Sequence, residues 1–509
     1  MAIPPASPPP DAAASYDYIV VGGGTAGIPL AVRLAADPDV NVALIEAGPS
    51  DAGDDRVLQL QRWMDLLGTH LDYDYTIEPQ PRGNGAIRHS RARVLGGCSS
   101  HNSCIAFRAP DRDLDEWVAL GAAGWTPADC RPHYDRVFET VTIAEQPVDN
   151  PLFEAVLAAG EEAGLPRVKF NGDDFGDGVG QLQINVRDGV RQSTSVAYLH
   201  ERGVSPNLDV LVDTTVFRVE LDERLHATGV ATNHGPVRAE REVILCAGVF
   251  DTPRLLLLSG VGPAGHLADV GIDVRVDLPG VGEHLLDHPE GVVIWESTRP
   301  VPQDSSQLWE LGIFATTQPG ADAPDLMYHF GLMAFDLNTL PQGYPTAGHA
   351  FSLTPNVCRA RSEGTVRLRS SNPGEVPRID FRYFTDADGY DEAVMLAGVK
   401  LAREIVGQPS LRPWVRRELA PGPDVTDDAA LSAYGRRTAN TVYHPAGTCR
   451  MGAPDDPRSV VGPDLAVLGI TGLRVADASV FPSMTTTNPA ITCMMIGEKC
   501  AEHAKVAGR

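Results

Sequence analysis

Tyr18-Ile19-Val20-Val21-Gly22-Gly23-Gly24-Thr25-Ala26-Gly27, just inside a folded part that begins at Tyr16, decides how the rest is read. A short apolar run closed by glycines is the pattern of a strand buried on both faces of a parallel sheet. A helical pattern from Ala26 to Ala36 follows. Asn41-Val42-Ala43-Leu44-Ile45-Glu46 is a second strand, so the segment is a βαβ unit. Gly22-x-Gly24-x-x-Gly27 lies on the turn between strand and helix. Glycines there permit a tight turn and let the backbone approach a pyrophosphate seated on the helix N-terminus. Glu46 ends the next strand, where a carboxylate accepts hydrogen bonds from the ribose of an adenosine. The unit predicts a dinucleotide site and leaves FAD and NAD undistinguished.

Working outward, two further buried strands carry the same signature. Glu242-Val243-Ile244-Leu245-Cys246 ends at Gly248, and Gly472-Leu473-Arg474-Val475-Ala476-Asp477 lies close to the C-terminus. Nucleotide-domain signals at the start, middle and end imply a discontinuous cofactor domain with a second domain inserted. The stretch from Val301 to Phe384 has strand-like alternation, exemplified by Gly364-Thr365-Val366-Arg367-Leu368-Arg369, and suggests a sheet-based substrate domain. Asp391 to Val406 reads as an amphipathic helix.

The chain has 509 residues, 43% hydrophobic and 21% charged, which excludes wholesale disorder. Its net charge of −25 disfavours binding to nucleic acid or an anionic membrane. No run of 18 apolar residues suggests a membrane span. The eight cysteines form no zinc-ribbon spacing and are read as reduced thiols of a cytoplasmic protein. No metal site is expected. Residues 1–15, rich in proline and alanine, read as a disordered tail rather than a signal peptide.

Three further motifs carry chemistry. Arg93-Val-Leu-Gly96-Gly97-Cys98-Ser99-Ser100-His101-Asn102-Ser103 packs small residues densely, as a backbone does when it runs against something flat, and amid the small residues His101 stands out as a nucleophilic or basic group. Tyr443-His444-Pro445-Ala446-Gly447-Thr448 and Thr487-Asn488-Pro489 offer an imidazole that titrates near neutrality and an amide that both donates and accepts. Asp287-His288-Pro289-Glu290, with Trp309 and Phe335 downstream, sets acids near aromatics. Such a combination is able to hold a quaternary ammonium through charge and cation–π contacts, although an isolated acid is more usually a solvated loop charge.

With these motifs stand Gly248-Val-Phe-Asp-Thr-Pro253-Arg-Leu-Leu-Leu-Leu-Ser-Gly260-Val-Gly-Pro263 and Pro279-Gly280-Val281-Gly282-Glu283-His284-Leu285. In this order, from Tyr16 to Glu502, the chain resembles the glucose–methanol–choline oxidoreductases. The resemblance implies an α/β fold with a Rossmann-like FAD-binding domain, discontinuous over 16–140, 186–289 and 442–509. It also implies an inserted antiparallel-sheet substrate domain over 141–185 and 290–441. The implied cofactor is FAD, bonded through the ring of His101 and contacted by Gly22, Gly24, Gly27, Glu46, Gly97, Asn102, Val216, Asp477 and Asn488. His444 and Asn488 would face the reacting carbinol, with Ser103 near its hydroxyl and His329 as a further active-site histidine. Val442 would lie where oxygen reacts. Glu290 matches a carboxylate that pairs with a trimethylammonium head, and Trp63, Trp309, Phe335 and Tyr443 match its aromatic cage. The implied reaction is oxidation of a primary alcohol, choline to betaine aldehyde and then glycine betaine, with O₂ as acceptor and H₂O₂ as product. The alternative is a broad-specificity primary-alcohol oxidase or dehydrogenase of the same family. A homodimer is the implied assembly.

Overall fold

The structure is a computed structural model that describes residues 15–147, 149–172 and 175–507. Most of the expected tail, residues 1–14, lies outside the described residues. Ser15 does not belong to the tail: it is the first residue of the strand Ser15–Val21 and pairs with Arg238.

The opening strand sits centrally in a seven-stranded sheet. Val42–Ile45 runs parallel on one side and Gly235–Leu245 on the other, and Leu208–Leu211 extends the sheet beyond Val42–Ile45. All four residues of Val42–Ile45 are buried, so a continuous apolar run is what a doubly covered strand requires. Gly235–Leu245 serves two neighbours on its other edge. Its first half alternates, with Val237 and Ala239 buried and Arg238 and Glu240 exposed, and pairs antiparallel with Ala227–Thr232, which in turn pairs with Val216–Leu221. Its last residues are fully buried and pair parallel with Leu473–Val475. The parallel strands therefore come from the start, middle and end of the chain. Their carboxyl ends converge on the loops at Gly22–Gly24, Glu46, Ala247–Gly248 and Asp477, where open α/β sheets bind ligands.

The second sheet is antiparallel and has eight strands. Its main path runs Val415–Ala420, Val293–Ser297, Ala350–Val357, Leu326–Gly331, Leu311–Ala315 and Gly178–Gln181, with Pro289–Glu290 paired to the Ala350–Val357 strand and Asn440–Thr441 paired in turn to Pro289–Glu290. Both faces are buried but differ in chemistry. Leu326, Tyr328, Phe330, Phe351 and Leu353 form one apolar face. The helix Tyr390–Val406 covers it, with the Tyr328 hydroxyl donating to the Gly398 carbonyl at 2.6 Å. At ~1.5–3 kcal/mol per large buried side chain, this face supplies much of the second core. On the opposite face, register places His329 beside Thr354, and Glu290 beside Asn356. That polar face looks toward the first sheet.

One expectation needs correction. Thr365–Arg367 is a strand, but it pairs with Arg378–Asp380 in a separate two-stranded sheet and takes no part in the eight-stranded one. The strands that do build that sheet from the Val301–Phe384 stretch are buried on both faces, so polarity alternates without exposure alternating. Among the described residues no helix is long and apolar enough to cross a membrane, no cluster of three potential metal ligands occurs, and all eight cysteines are free, Cys98 alone being partly exposed.

Candidate active site

A cavity of ≈ 340 Å³ runs from the carboxyl ends of the parallel strands to the polar face of the second sheet. Its first wall is a pair of glycine turns packed back to back. A Cβ on Gly97 would lie 2.7 Å from Gly24 Cα, and Gly96 N–H donates to the Gly23 carbonyl at 2.7 Å. Gly22, Gly24 and Gly97 line the cavity. Gly27, expected beside them, does not. A Cβ there would meet the Gly22 carbonyl oxygen at 2.0 Å, so Gly27 lets the helix pack on the strand. That helix, Gly27–Leu34, starts with no side-chain cap, and the turn before it opens into the cavity. Glu46 is buried and accepts from Gly23 N–H at 3.0 Å and Gly48 N–H at 2.7 Å; burial raises its carboxyl to about 7. Asp477 accepts from Gly248 N–H and the Thr252 hydroxyl at 2.8 and 2.6 Å, and Val216 lines the same end.

His101 follows the 3₁₀ turn Gly97–Ser100 and borders the cavity with Asn102 and Ser103. The buried Arg191 braces this segment by donating to the Asn102 carbonyl at 2.7 Å and the Ser99 carbonyl at 3.3 Å. Burial lowers the His101 imidazole to about 4, against the pull of Asp72, so the ring is neutral at pH 7.

His329 and His444 line the same cavity, His288 packs against His444, and the hydrogen-bond network assigns the tautomers of all three. His288 Nε2–H donates to the Thr485 carbonyl at 2.9 Å, which leaves its Nδ1 as an acceptor. His444 Nδ1 lies 3.0 Å from that atom and must donate to it. His444 Nε2 therefore carries a lone pair. Burial, then the neighbouring imidazoles of His288 and His329 and the Arg91 charge, hold His444 well below the ordinary histidine range and keep it neutral. The Asn356 amide lies 3.1 Å from His329 Nδ1 and donates to it, so His329 Nε2 carries the proton; burial lowers that ring to about 4. His329 Nε2 and Asn488 Oδ1 are both buried without a close hydrogen-bond partner among the described residues, and the Asn488 side chain pulls the His329 ring upward against burial. One ring thus offers an acceptor and the other a donor.

His444 is aimed by strain held in place. Tyr443 has φ +65°, which costs a bulky residue ~1–3 kcal/mol. The buried Asp287 compensates by accepting from the Thr441 hydroxyl at 2.6 Å, from the Tyr383 hydroxyl, and from His444 N–H at 3.0 Å.

Beyond the imidazoles lies Glu290, 6% exposed, on the strand Pro289–Glu290. No arginine, lysine or histidine pairs with it among the described residues. Burial raises its carboxyl to about 8, while the Thr354 hydroxyl pulls the other way. Trp63, Trp309, Phe335, Val442 and Tyr443 line the cavity with it. Trp309 and Phe335 meet edge to face at 5.2 Å and 88°.

Every expected site residue except Gly27 borders this one cavity. The sequence reading assigned no role to Asp287 as a clamp, to His288 as the acceptor that orients His444, or to Asn356 and Thr354. The available signal was the polar series Ser352, Thr354, Asn356 inside an otherwise apolar strand.

Comparison with known proteins agrees with this architecture. Two family models, each described as GMC oxidoreductase, match residues 16–290 and 360–497. The chain is 52% identical to choline oxidase of Arthrobacter globiformis, over 96% of this chain and 94% of that protein. It is 35% identical to oxygen-dependent choline dehydrogenase of Sinorhizobium medicae (strain WSM419), over 96% and 95%. Among solved structures, pyridoxine 4-oxidase from Mesorbium loti superposes with a TM-score of 0.87 at 29% identity, covering 96% of this chain and 98% of that one.

Proposed function

Since the chain belongs to the GMC oxidoreductase family, we propose from that premise that it binds FAD in this cavity and oxidises choline to betaine aldehyde and on to glycine betaine, with O₂ as acceptor and H₂O₂ as product. The observation that carries the reading is Glu290: a carboxyl group buried without a cation of its own, in a cavity also lined by Trp63, Trp309, Phe335, Tyr443 and a neutral His444.

The residues fit the cofactor. A Cβ on Gly24 would meet only Gly97 Cα, at 3.7 Å, and one on Gly248 nothing within 4 Å, so both turns leave room beside the cavity; the helix Gly27–Leu34 is uncapped, and Asn488 Oδ1 has no close partner. Gly22, Gly24, Gly97, Glu46, Asn102, Val216, Asp477 and Asn488 would hold FAD, and His101, neutral and bordering the cavity, would carry it covalently. Bound FAD supplies a two-electron acceptor for a hydride and returns the electrons to O₂.

The chain's own residues orient and deprotonate. Glu290 pairs with the trimethylammonium group, and Trp63, Trp309, Phe335 and Tyr443 surround it, each favourable ring contact adding ~0.5–2 kcal/mol. That anchor turns the carbinol toward the imidazoles. The hydroxyl proton passes to His444 Nε2, while His329 Nε2–H and the hydroxyl of Ser103 donate toward the oxygen. His288 stabilises the charged His444 by continuing to accept its Nδ1–H. General-base help of this kind is worth about 10²–10⁴-fold. Val442 lies beside these groups at the cavity wall, where oxygen would react. The family reading extends to a cytoplasmic homodimer, which sedimentation and fractionation check.

The test is anaerobic mixing of the yellow protein with choline. Bleaching, followed by H₂O₂ in proportion to substrate when air is admitted, is the expected result. Bleaching by hexanol and not by choline would replace the reading with a neutral-alcohol oxidase. Bleaching without peroxide would replace it with a dehydrogenase.

A further inference from the structure

Another buried glutamate, Glu310, directly follows the cavity-lining Trp309. Glu310 is 1% exposed, and no arginine or lysine pairs with it among the described residues. Its donors come from the five residues before it. Ser305 Oγ–H lies 2.8 and 2.6 Å from its two carboxylate oxygens, Gln307 N–H donates at 3.0 Å, and Ser306 N–H donates to the same carboxylate. Ser305 Oγ in turn accepts from Leu308 N–H at 2.6 Å. Leu308 has φ +77°, a conformation a branched residue adopts only when its surroundings enforce it. A buried charge held by several N–H and O–H groups resists displacement, and losing it leaves those donors unpaired.

Both indoles of the cation end hang on this knot. Trp309 stands between the strained Leu308 and Glu310, and its ring lies on Gly331, where a Cβ would be 2.5 Å from Cζ3. Trp63 comes from the distant 3₁₀ helix Leu60–Leu66, and its Nε1–H donates to the Gln307 carbonyl at 3.3 Å. One indole is fixed by the loop's backbone and the other by its carbonyl.

We propose that Glu310 is a positioning residue for substrate selection: its carboxylate pins the loop Ser305–Leu308 so that Trp63 and Trp309 hold the faces of the ammonium subsite. The inference rests on the reading of that subsite given above. It assigns Glu310 no contact with substrate and no part in the chemistry.

The test uses flavin-loaded Glu310→Gln, whose amide turns an N–H₂ group toward N–H donors, and Ser305→Ala, which removes the linking hydroxyl and keeps the carboxylate. KM and kcat are measured for choline and for hexanol, with the flavin-to-protein ratio as the control for folding. The expected result is a rise of about tenfold in KM for choline, the loss of one or two ring contacts, with kcat and the KM for hexanol unchanged. Ser305→Ala should move the same way by less and supplies the answer if Glu310→Gln does not fold. Equal rises in KM for both alcohols, or no rise for choline in either variant while the wild type prefers choline, overturn the inference alone. A wild type with no preference for choline over hexanol overturns the ammonium subsite and this inference with it.

Discussion

The two ends of the cavity each hold a buried glutamate, and burial raises both, Glu46 to about 7 and Glu290 to about 8. Their partners differ. Glu46 accepts two backbone N–H groups, from Gly23 and Gly48, both within 25 residues of it in the chain. Glu290 has a hydroxyl from a strand 64 residues away and no cation. The cofactor end is therefore satisfied by local backbone and forms as part of the βαβ unit. The cation end is left incomplete, and its missing partner is the ligand. A buried carboxyl group with no countercharge keeps its proton until a cation joins it, which is the physical reason to read Glu290 as functional.

That contrast can be broken at several points. The largest effect is expected at the cofactor end: His101→Ala should leave no yellow colour in the acid-precipitated protein, whereas wild type stays coloured, and retained colour would remove His101 from the linkage. Next, His444→Ala should lower turnover by about 10³-fold with the flavin content kept, as removal of a general base does; an unchanged kcat would shift the proton acceptor elsewhere. Glu290→Gln should raise KM for choline by about 100-fold, ~2.7 kcal/mol, and leave hexanol untouched. A parallel rise for both alcohols would make the two ends alike.

The smallest effect sharpens the comparison through pH. In the free protein Glu290 holds its proton below about pH 8. A cation binds the ionised form, so binding expels that proton. Affinity for tetramethylammonium should thus fall by about tenfold for each pH unit below 8 and level off above it. A flat profile from pH 6 to 8 would mean that Glu290 does not face the cation.

Much of the site was legible because motif spacing is a local property. Gly22, Gly24 and Glu46 follow from one strand–turn–helix–strand unit, and a family resemblance carried the remaining residues by motif. Gly27 shows the limit of the first kind of reading: it belongs to the motif but packs helix against strand and does not border the cavity. The second sheet was harder. His329, Thr354 and Asn356 lie on a polar face that is as buried as the apolar one, so a rule linking polarity to solvent misplaces them. Thr365–Arg367 has the alternation of a half-exposed strand and lies apart from that sheet.

From its order of residues alone, this chain specifies a nucleotide-type parallel sheet, the turns that open at its carboxyl edge, and the chemical types of the groups that serve them. These depend on periodicity and on backbone conformations that neighbouring residues dictate. The proton positions on His288, His329 and His444, the clamp of Asp287 on a strained Tyr443, and the anchoring of two indoles to Glu310 arise only on folding. Each is a hydrogen bond or packing contact between segments far apart in sequence, and its direction is set by which donors and acceptors remain once water has been excluded.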